Sequence, residues 1–206
     1  MQFLSHLNVD IESVKGFLDP LEGAALFAAA EAMAPRGLCV EIGSYCGKST
    51  IIIGAACQKA GGTLLAIDHH RGSEENQPGE EYFDPDLDDG EGGMSTLSQF
   101  RANIRRAGLE DTVIPALSPS QVVARLPMAA PDFVFIDGGH SMPAALADWQ
   151  NWGARVTKGG LLAIHDVFPN TADGGRPPHE IYKLALHSGL FEEEKAVKSL
   201  RILRRL

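Results

Sequence analysis

Residues 38–50 read Leu38-Cys39-Val40-Glu41-Ile42-Gly43-Ser44-Tyr45-Cys46-Gly47-Lys48-Ser49-Thr50. Apolar residues run from Leu38 to Ile42 and stop at Gly43. A helical apolar pattern resumes at Ile51, Ile52, Ile53, Ala55 and Ala56. The order is strand, tight glycine turn, helix. In such a turn the backbone N–H groups at the helix N-terminus face a ligand. A second apolar run, Thr63 to Ile67, closes on Asp68. An acid at the tip of the second strand is placed to accept hydrogen bonds from ribose hydroxyls. Together the two features predict a nucleoside-containing ligand lying across the first two strands.

The glycine spacing narrows the choice. A dinucleotide fingerprint wants G-x-G-x-x-G. Here the spacing is G-x-x-x-G, with Ser44 at the second position after Ile42. A phosphate-binding P-loop wants G-x-x-x-x-G-K-[ST], and Gly43 to Gly47 followed by Lys48-Ser49 is one residue short of it. The run Asp132 to Asp137 does look like the apolar strand ending in a magnesium-binding aspartate of P-loop enzymes. A phosphotransferase using Lys48, Ser49 and Asp137 is therefore the alternative enzyme reading. Glu41 counts against it, because a carboxylate beside a phosphate is unfavourable. A ligand carrying an amine and a sulfonium suits Glu41 better. A non-catalytic nucleoside-binding module is the alternative outside enzymes.

Along the chain, strands and helices alternate. Helices are predicted at Leu21–Ala34, Lys48–Ala60, Ser95–Ala107, Pro119–Leu126, Pro143–Trp152 and His179–Ser188. Strands are predicted at Leu38–Ile42, Thr63–Ile67, Thr112–Ala116, Phe133–Ile136 and Gly160–Ile164. Phe191–Val197 and Ser199–Leu203 form a closing antiparallel pair. This order implies an α/β, doubly wound, Rossmann-like domain over residues 1–206, with a mostly parallel seven-stranded sheet and a closing antiparallel strand. Ligands in such sheets bind beyond the strand C-termini. Glu41, Gly43, Asp68, Asp137, His165 and Asp166 all fall at that one edge, although they are far apart in sequence.

The chain has 206 residues and a formal net charge of −9. Nine acidic residues and no Lys or Arg lie between Ser73 and Gly93. Such a chain is a poor candidate for nucleic-acid binding, which neutralises phosphates with Lys and Arg. No apolar run reaches membrane-spanning length, and the first ten residues lack the pattern of a signal peptide, so a cytoplasmic protein without a membrane partner is expected. Three cysteines, Cys39, Cys46 and Cys57, have no metal spacing and read as buried thiols. The segment Asp84 to Gly90 misses the calcium-loop pattern, since its glycine comes late and its twelfth position is Ser95. The 73–93 segment is expected to be a mobile lid, and with 168–178 to define an acceptor pocket.

The E-x-G-x-x-x-G pattern with the later acid resembles the first motifs of class I S-adenosylmethionine-dependent methyltransferases. Phe133 to His140, Ala147-Asp148-Trp149 and Lys158 to Val167 resemble the fourth and fifth strand regions of the small O-methyltransferase-like branch. That branch includes catechol-type, macrocin-type and cephalosporin-hydroxylase-like enzymes. The likeness covers about residues 20–204. It implies methyl transfer to a small-molecule or sugar hydroxyl, with S-adenosylmethionine as cofactor. It implies cofactor binding by Glu41, Gly43, Ser44, Tyr45, Gly47, Ser49, Asp68, His69, Ser118 and Asp137. Asp137 and His140 become the catalytic candidates, His140 standing where catechol-type relatives carry a lysine base. Asp137, His165 and Asp166 become candidate ligands of a divalent ion, magnesium or manganese. Two departures stand out: Asp137 is followed by Gly138-Gly139 rather than a bulky pair, and His165-Asp166 replaces an acidic pair. A homo-oligomer is compatible with the pattern.

Overall fold

The computed structural model describes residues 4–73, 76, 77, 79, 83–139, 141–170 and 175–206. Seven strands form one sheet: β1 (Cys39–Ile42), β2 (Leu64–Asp68), β3 (Val113–Leu117), β4 (Phe133–Ile136), β5 (Leu161–Ile164), β6 (Phe191–Val197) and β7 (Leu200–Arg205). Their order is β3-β2-β1-β4-β5-β7-β6. The first five pair in parallel, and β7 runs antiparallel to both β5 and β6. The closing antiparallel strand expected from the sequence is thus β7. It lies inside the sheet, and β6 takes the edge, where the exposed Glu192, Glu193 and Glu194 discourage further pairing.

Side-chain alternation divides the core in two. Cys39, Phe133, Phe135 and Ala163 pack with α1 (Pro20–Met33) and α2 (Lys48–Ala60) on one face. Val40, Ile42, Val134, Ile136 and Ile164 pack on the other face with residues of α4 (Ser120–Val123), α5 (Met142–Asn151) and α6 (Arg176–His187). The central strands are buried on both faces, which is why they read as unbroken apolar runs. The remaining helix, α3 (Leu97–Arg106), packs Phe100 and Ile104 into the first cluster.

Local chemistry sets the helix ends. Asp19 caps α1, its carboxylate accepting from Leu21 N, and Glu22 reaches back to Asp19 N in a capping box with Pro20 in the first turn. Gly61 ends α2 in the left-handed conformation. The last helix begins at Arg176, three residues earlier than the sequence suggests. Pro177 and Pro178 sit in its first turn, where a missing N–H costs nothing.

Among the described glycines, Gly43 has the least room for a side chain. Its φ is +85°, and a Cβ there would stand 2.0 Å from the carbonyl oxygen of Asp137. Only a glycine lets the end of β4 pass this close to the end of β1. Replacing Gly43 by Ala is expected to destabilise the protein by about 2–4 kcal/mol, from the positive φ and forced separation of the two strand ends. Thermal unfolding of Gly43→Ala measures this; an unchanged melting temperature would contradict the packing described.

Candidate active site

The turn after β1 is organised by Asp68 at the end of β2. Asp68 Oδ2 accepts from Ser44 N at 2.8 Å and Tyr45 N at 2.9 Å, and Oδ1 accepts from His70 N at 2.6 Å. Tyr45 and His70 both adopt positive φ, +46° and +56°. Non-glycine residues hold that conformation at a cost, so the carboxylate fixes an otherwise unfavourable backbone. The same bonds bear on the phosphate-loop alternative: two amides that would cradle a phosphate already face a carboxylate.

Glu41 lies beneath this turn rather than in a cavity wall. It shares the sheet face of Cys39, so it points at α2 and is fully buried. Ser44 Oγ donates to its Oε2 at 2.9 Å and Thr50 Oγ1 at 2.5 Å, while Oε1 has no partner among the described residues. Burial pushes its pKa up to about 7 against the hydrogen bonds from Ser49, Thr50 and Ser44. The expected direct contact from Glu41 to a ligand therefore needs correction: strand alternation turns it under the loop. Gly47 also leaves the cavity wall. With φ +93° it starts α2, and a Cβ there would meet Phe100 at 3.3 Å.

Asp137 and Asp166 follow β4 and β5, which are neighbours, and their side chains meet at His165. His165 Nδ1 lies 3.0 Å from Asp137 Oδ1 and 3.4 Å from Asp166 Oδ1, and Nε2 lies 3.1 Å from Glu22 Oε2. Both ring nitrogens therefore face carboxylates, which is the geometry of an imidazolium donating twice. Burial works against the cation. The charge of Asp137, the hydrogen bonds to Asp137 and Glu22, and the charge of Asp166 outweigh it, and the pKa rises to about 11. Glu22 is itself buried, and its Oε1 accepts from Ser199 N, Ser199 Oγ and Leu200 N at 2.9, 2.8 and 3.1 Å. Burial raises its pKa, but the bonds from His165 and Ser199 bring it down to about 2. One carboxylate on α1 thus ties the β6–β7 turn to the end of β5.

A cavity of about 920 Å³ opens at this edge. Gly43, Ser44, Tyr45, Ser49, Asp68, His69, Ser118, Asp137, His165 and Asp166 line it, so ten expected site residues are brought together. Ser118 is anchored through its N–H to Asp68 O at 3.3 Å. His70, adjacent to His69, is instead buried against Phe100 and bonded to Thr96 Oγ1 at 2.7 Å. His140 lies outside the described residues. Sequence reasoning missed Glu22, Lys15, Phe17 and the cavity-lining role of Asp148. Lys15 Nζ bridges Asp84 and Asp86 at 2.5 and 2.8 Å, tying the described part of the acidic segment to the cavity rim. The capping-box spacing of Asp19 and Glu22 was the available signal for Glu22.

Asp137, His165 and Asp166 offer ligand atoms within 4.8 Å of one another. The two carboxylates suit a hard divalent ion. The imidazole does not: ligation needs a neutral ring with a free lone pair, and both nitrogens here are engaged.

An α/β fold with its cavity at the C-terminal strand edge, an acid at the end of β2 and a glycine turn after β1 has the arrangement into which a nucleoside cofactor fits. Residues 40–167 match the methyltransferase domain family. The chain belongs to that family, and with it to the class I S-adenosylmethionine-dependent methyltransferases. Solved structures share the fold. An O-methyltransferase from Bacillus cereus in complex with S-adenosylhomocysteine is 18% identical with a TM-score of 0.66, covering 100% of this chain and 91% of that one. The O-methyltransferase NovP is 15% identical with a TM-score of 0.67, covering 89% and 78%. The S-adenosylhomocysteine-bound methyltransferase PaMTH1 of Podospora anserina is 12% identical with a TM-score of 0.62, covering 92% and 80%.

The Glu22–His165 pair sets a pH window for stability. The folded pKa of Glu22 is depressed from 4.5 to about 2, so its contribution is present above 4.5 and lost as pH falls toward 2. That of His165 is raised from 6.5 to about 11, so its contribution is present below 6.5 and lost as pH rises toward 11. Glu22→Gln breaks a buried pair and is expected to cost about 3 kcal/mol or more between these limits. The melting-temperature gap between wild type and variant should narrow at both pH extremes. A gap constant from pH 3 to 10 would contradict the ion pair.

Proposed function

We propose that the protein transfers a methyl group from S-adenosylmethionine to a hydroxyl of a small-molecule or sugar acceptor. The observation that carries this reading is the single cavity edge shared by the glycine turn, Asp68 and the Asp137–His165–Asp166 cluster. The fit to the cofactor is supported by the turn itself, whose shape Gly43 alone permits, and by the buried carboxyl group of Glu41 beneath it. A carboxylate there suits a ligand bearing positive rather than negative charge.

In this reading Asp68 holds the ribose with the one acceptor site on Oδ1 that its three backbone bonds leave available. Gly43, Ser44, Tyr45 and Ser49 flank the amino-acid end, with Glu41 acting from beneath. His69 and Ser118 flank the base. The cofactor supplies an electrophilic methyl on a sulfonium. Asp137 and Asp166 orient the acceptor oxygen for in-line attack, and the imidazolium of His165 holds Asp137 in place. The proton of the acceptor passes to a carboxylate at this cluster or to His140, the base candidate. The protein's remaining work is alignment and exclusion of water.

A second reading places a divalent ion, magnesium or manganese, between Asp137 and Asp166, favoured by the proximity of their ligand atoms. It would lower the acceptor's pKa. His165 fits that ion poorly, so the metal-free arrangement is the one adopted here. The partner is then a small-molecule or sugar acceptor, not nucleic acid. No helix among the described residues is long and apolar enough to cross a membrane.

Ligand binding and turnover both test the proposal. S-adenosylhomocysteine is expected to raise the melting temperature, whereas ATP with magnesium is not, and Asp68→Ala should weaken S-adenosylhomocysteine binding by about 1–3 kcal/mol. Stabilisation by ATP alone would overturn the cofactor assignment. Turnover should survive EDTA, and His140→Ala should cost about 10²–10⁴-fold in rate. Loss of turnover in EDTA, restored by magnesium, would select the metal-bridged mechanism.

A further inference from the structure

The charges on the cavity wall are one-sided. Asp68, Asp137, Asp148 and Asp166 line it, against two lysines and no arginine among the described residues. Both lysines are already committed. Lys15 Nζ is held between Asp84 and Asp86 at 2.5 and 2.8 Å, and Lys48 Nζ lies 3.6 Å from Glu12 Oε2. The imidazolium of His165 is shared among the carboxylates of Glu22, Asp137 and Asp166. Three cations thus face six carboxylates, before Asp68 and Asp148 are counted. An acceptor carrying a phosphate or carboxylate would meet like charge here and no uncommitted lysine or arginine among the described residues. An acceptor carrying a positive charge would supply what the wall lacks.

The four wall carboxylates differ in how firmly each is engaged. Asp68 accepts three backbone N–H bonds, and Asp148 accepts from Ser120 Oγ. Asp137 takes His165 Nδ1 at 3.0 Å. Asp166 stands further from the same nitrogen, at 3.4 Å, with 26% of its side chain exposed. It opens on a cavity of about 920 Å³ rather than on bulk surface. Its neighbourhood also sets a distance. The ligand atoms of Asp137, His165 and Asp166 lie within 4.8 Å of one another. A group paired with Asp166 and a hydroxyl facing Asp137 therefore stand only a few bonds apart in the acceptor.

Resting on the methyltransferase reading above, we propose that the acceptor is a hydroxyl compound with a protonated amine a few bonds from the reacting oxygen, as in an amino sugar or amino alcohol, and that Asp166 selects it by pairing with the ammonium. An ammonium brings three N–H donors and a compact charge. In this partly enclosed site the pair is screened by salt less than a surface pair is. Asp137 remains beside the hydroxyl, so the two carboxylates orient the acceptor through two different groups. A neutral analogue keeps the hydroxyl contact and loses the charge-assisted one. An anionic analogue adds repulsion from the whole wall.

The test is binding of matched probes to the protein saturated with S-adenosylhomocysteine, followed by NMR titration in EDTA so that no divalent ion takes Asp166. D-glucosamine is compared with D-glucose, N-acetyl-D-glucosamine and D-glucuronate, and trans-2-aminocyclohexanol with trans-1,2-cyclohexanediol. Each amine is expected to bind about tenfold more tightly than its neutral analogue, and glucuronate more weakly than glucose. In Asp166→Asn the preference for the amine should fall to within about threefold. Asn keeps the size of the side chain and tolerates the φ of +55° at this position, so the variant is expected to fold. Amines binding no tighter than their neutral analogues, or not at all, would overturn the proposal, as would glucuronate matching glucosamine. These wild-type comparisons stand even if the variant fails to fold. An undiminished preference in Asp166→Asn would overturn the role of Asp166. Failure of S-adenosylhomocysteine itself to bind would instead overturn the methyltransferase reading, and this proposal with it.

Discussion

The turn from β1 to α2 is closed by the Gly47 N–Ser44 O bond and tied to β2 by Gly43 N–Ile67 O, and the carboxylate of Asp68 takes up the amides that these leave over. Bonds from Ser44 N, Tyr45 N and His70 N hold two residues at positive φ and lock the ends of β1 and β2 together. Charge-assisted bonds of this kind contribute about 1.5–3 kcal/mol each, against a strain of about 1–3 kcal/mol per residue. The balance favours the turn only while the carboxylate is present. Everything at the cavity edge follows from that geometry: the close pass at Gly43, the exposure of Tyr45 to the cavity, and the start of α2 at Gly47.

The same carboxylate also decides what the turn can bind. It occupies the amides that a phosphate would need, and Asp137, Asp148 and Asp166 add further negative groups around the cavity. The buried imidazolium of His165, with Lys15 and Lys48 on the lining, balances part of this charge. A ligand with a cationic centre is favoured in such a field, and a nucleotide with a charged phosphate tail is disfavoured. The protein resolves its own near match to a phosphate-binding loop by electrostatics rather than by loop length alone.

Much of this was legible in the sequence because parallel strands buried on both faces announce themselves as short apolar runs. Their order brings Asp68, Asp137, His165 and Asp166 to one edge without any knowledge of side-chain contacts. The direction of Glu41 was readable too, from the alternation of Cys39 and Glu41 against Val40 and Ile42, but only once both sheet faces were known to be covered. For Glu22 the spacing from Asp19 signals a helix cap but not the ion pair. Its partner His165 lies 143 positions away, and a capping glutamate is ordinarily a surface residue. Asp148 was hidden for a similar reason: a polar residue on an amphipathic helix reads as solvated until the packing of Trp152 and Ser120 turns it inward.

The central claim is that one nucleoside-bearing cofactor spans the ends of β2 and β1, held by Asp68 and the glycine turn. A crystal structure of the protein with S-adenosylhomocysteine tests it most directly. The account requires the ribose hydroxyls within hydrogen-bond distance of Asp68, the homocysteine over Gly43 to Tyr45, and the base beside Ser118 and Ser120. Ligand density elsewhere, or a ribose making no contact with Asp68, would contradict it.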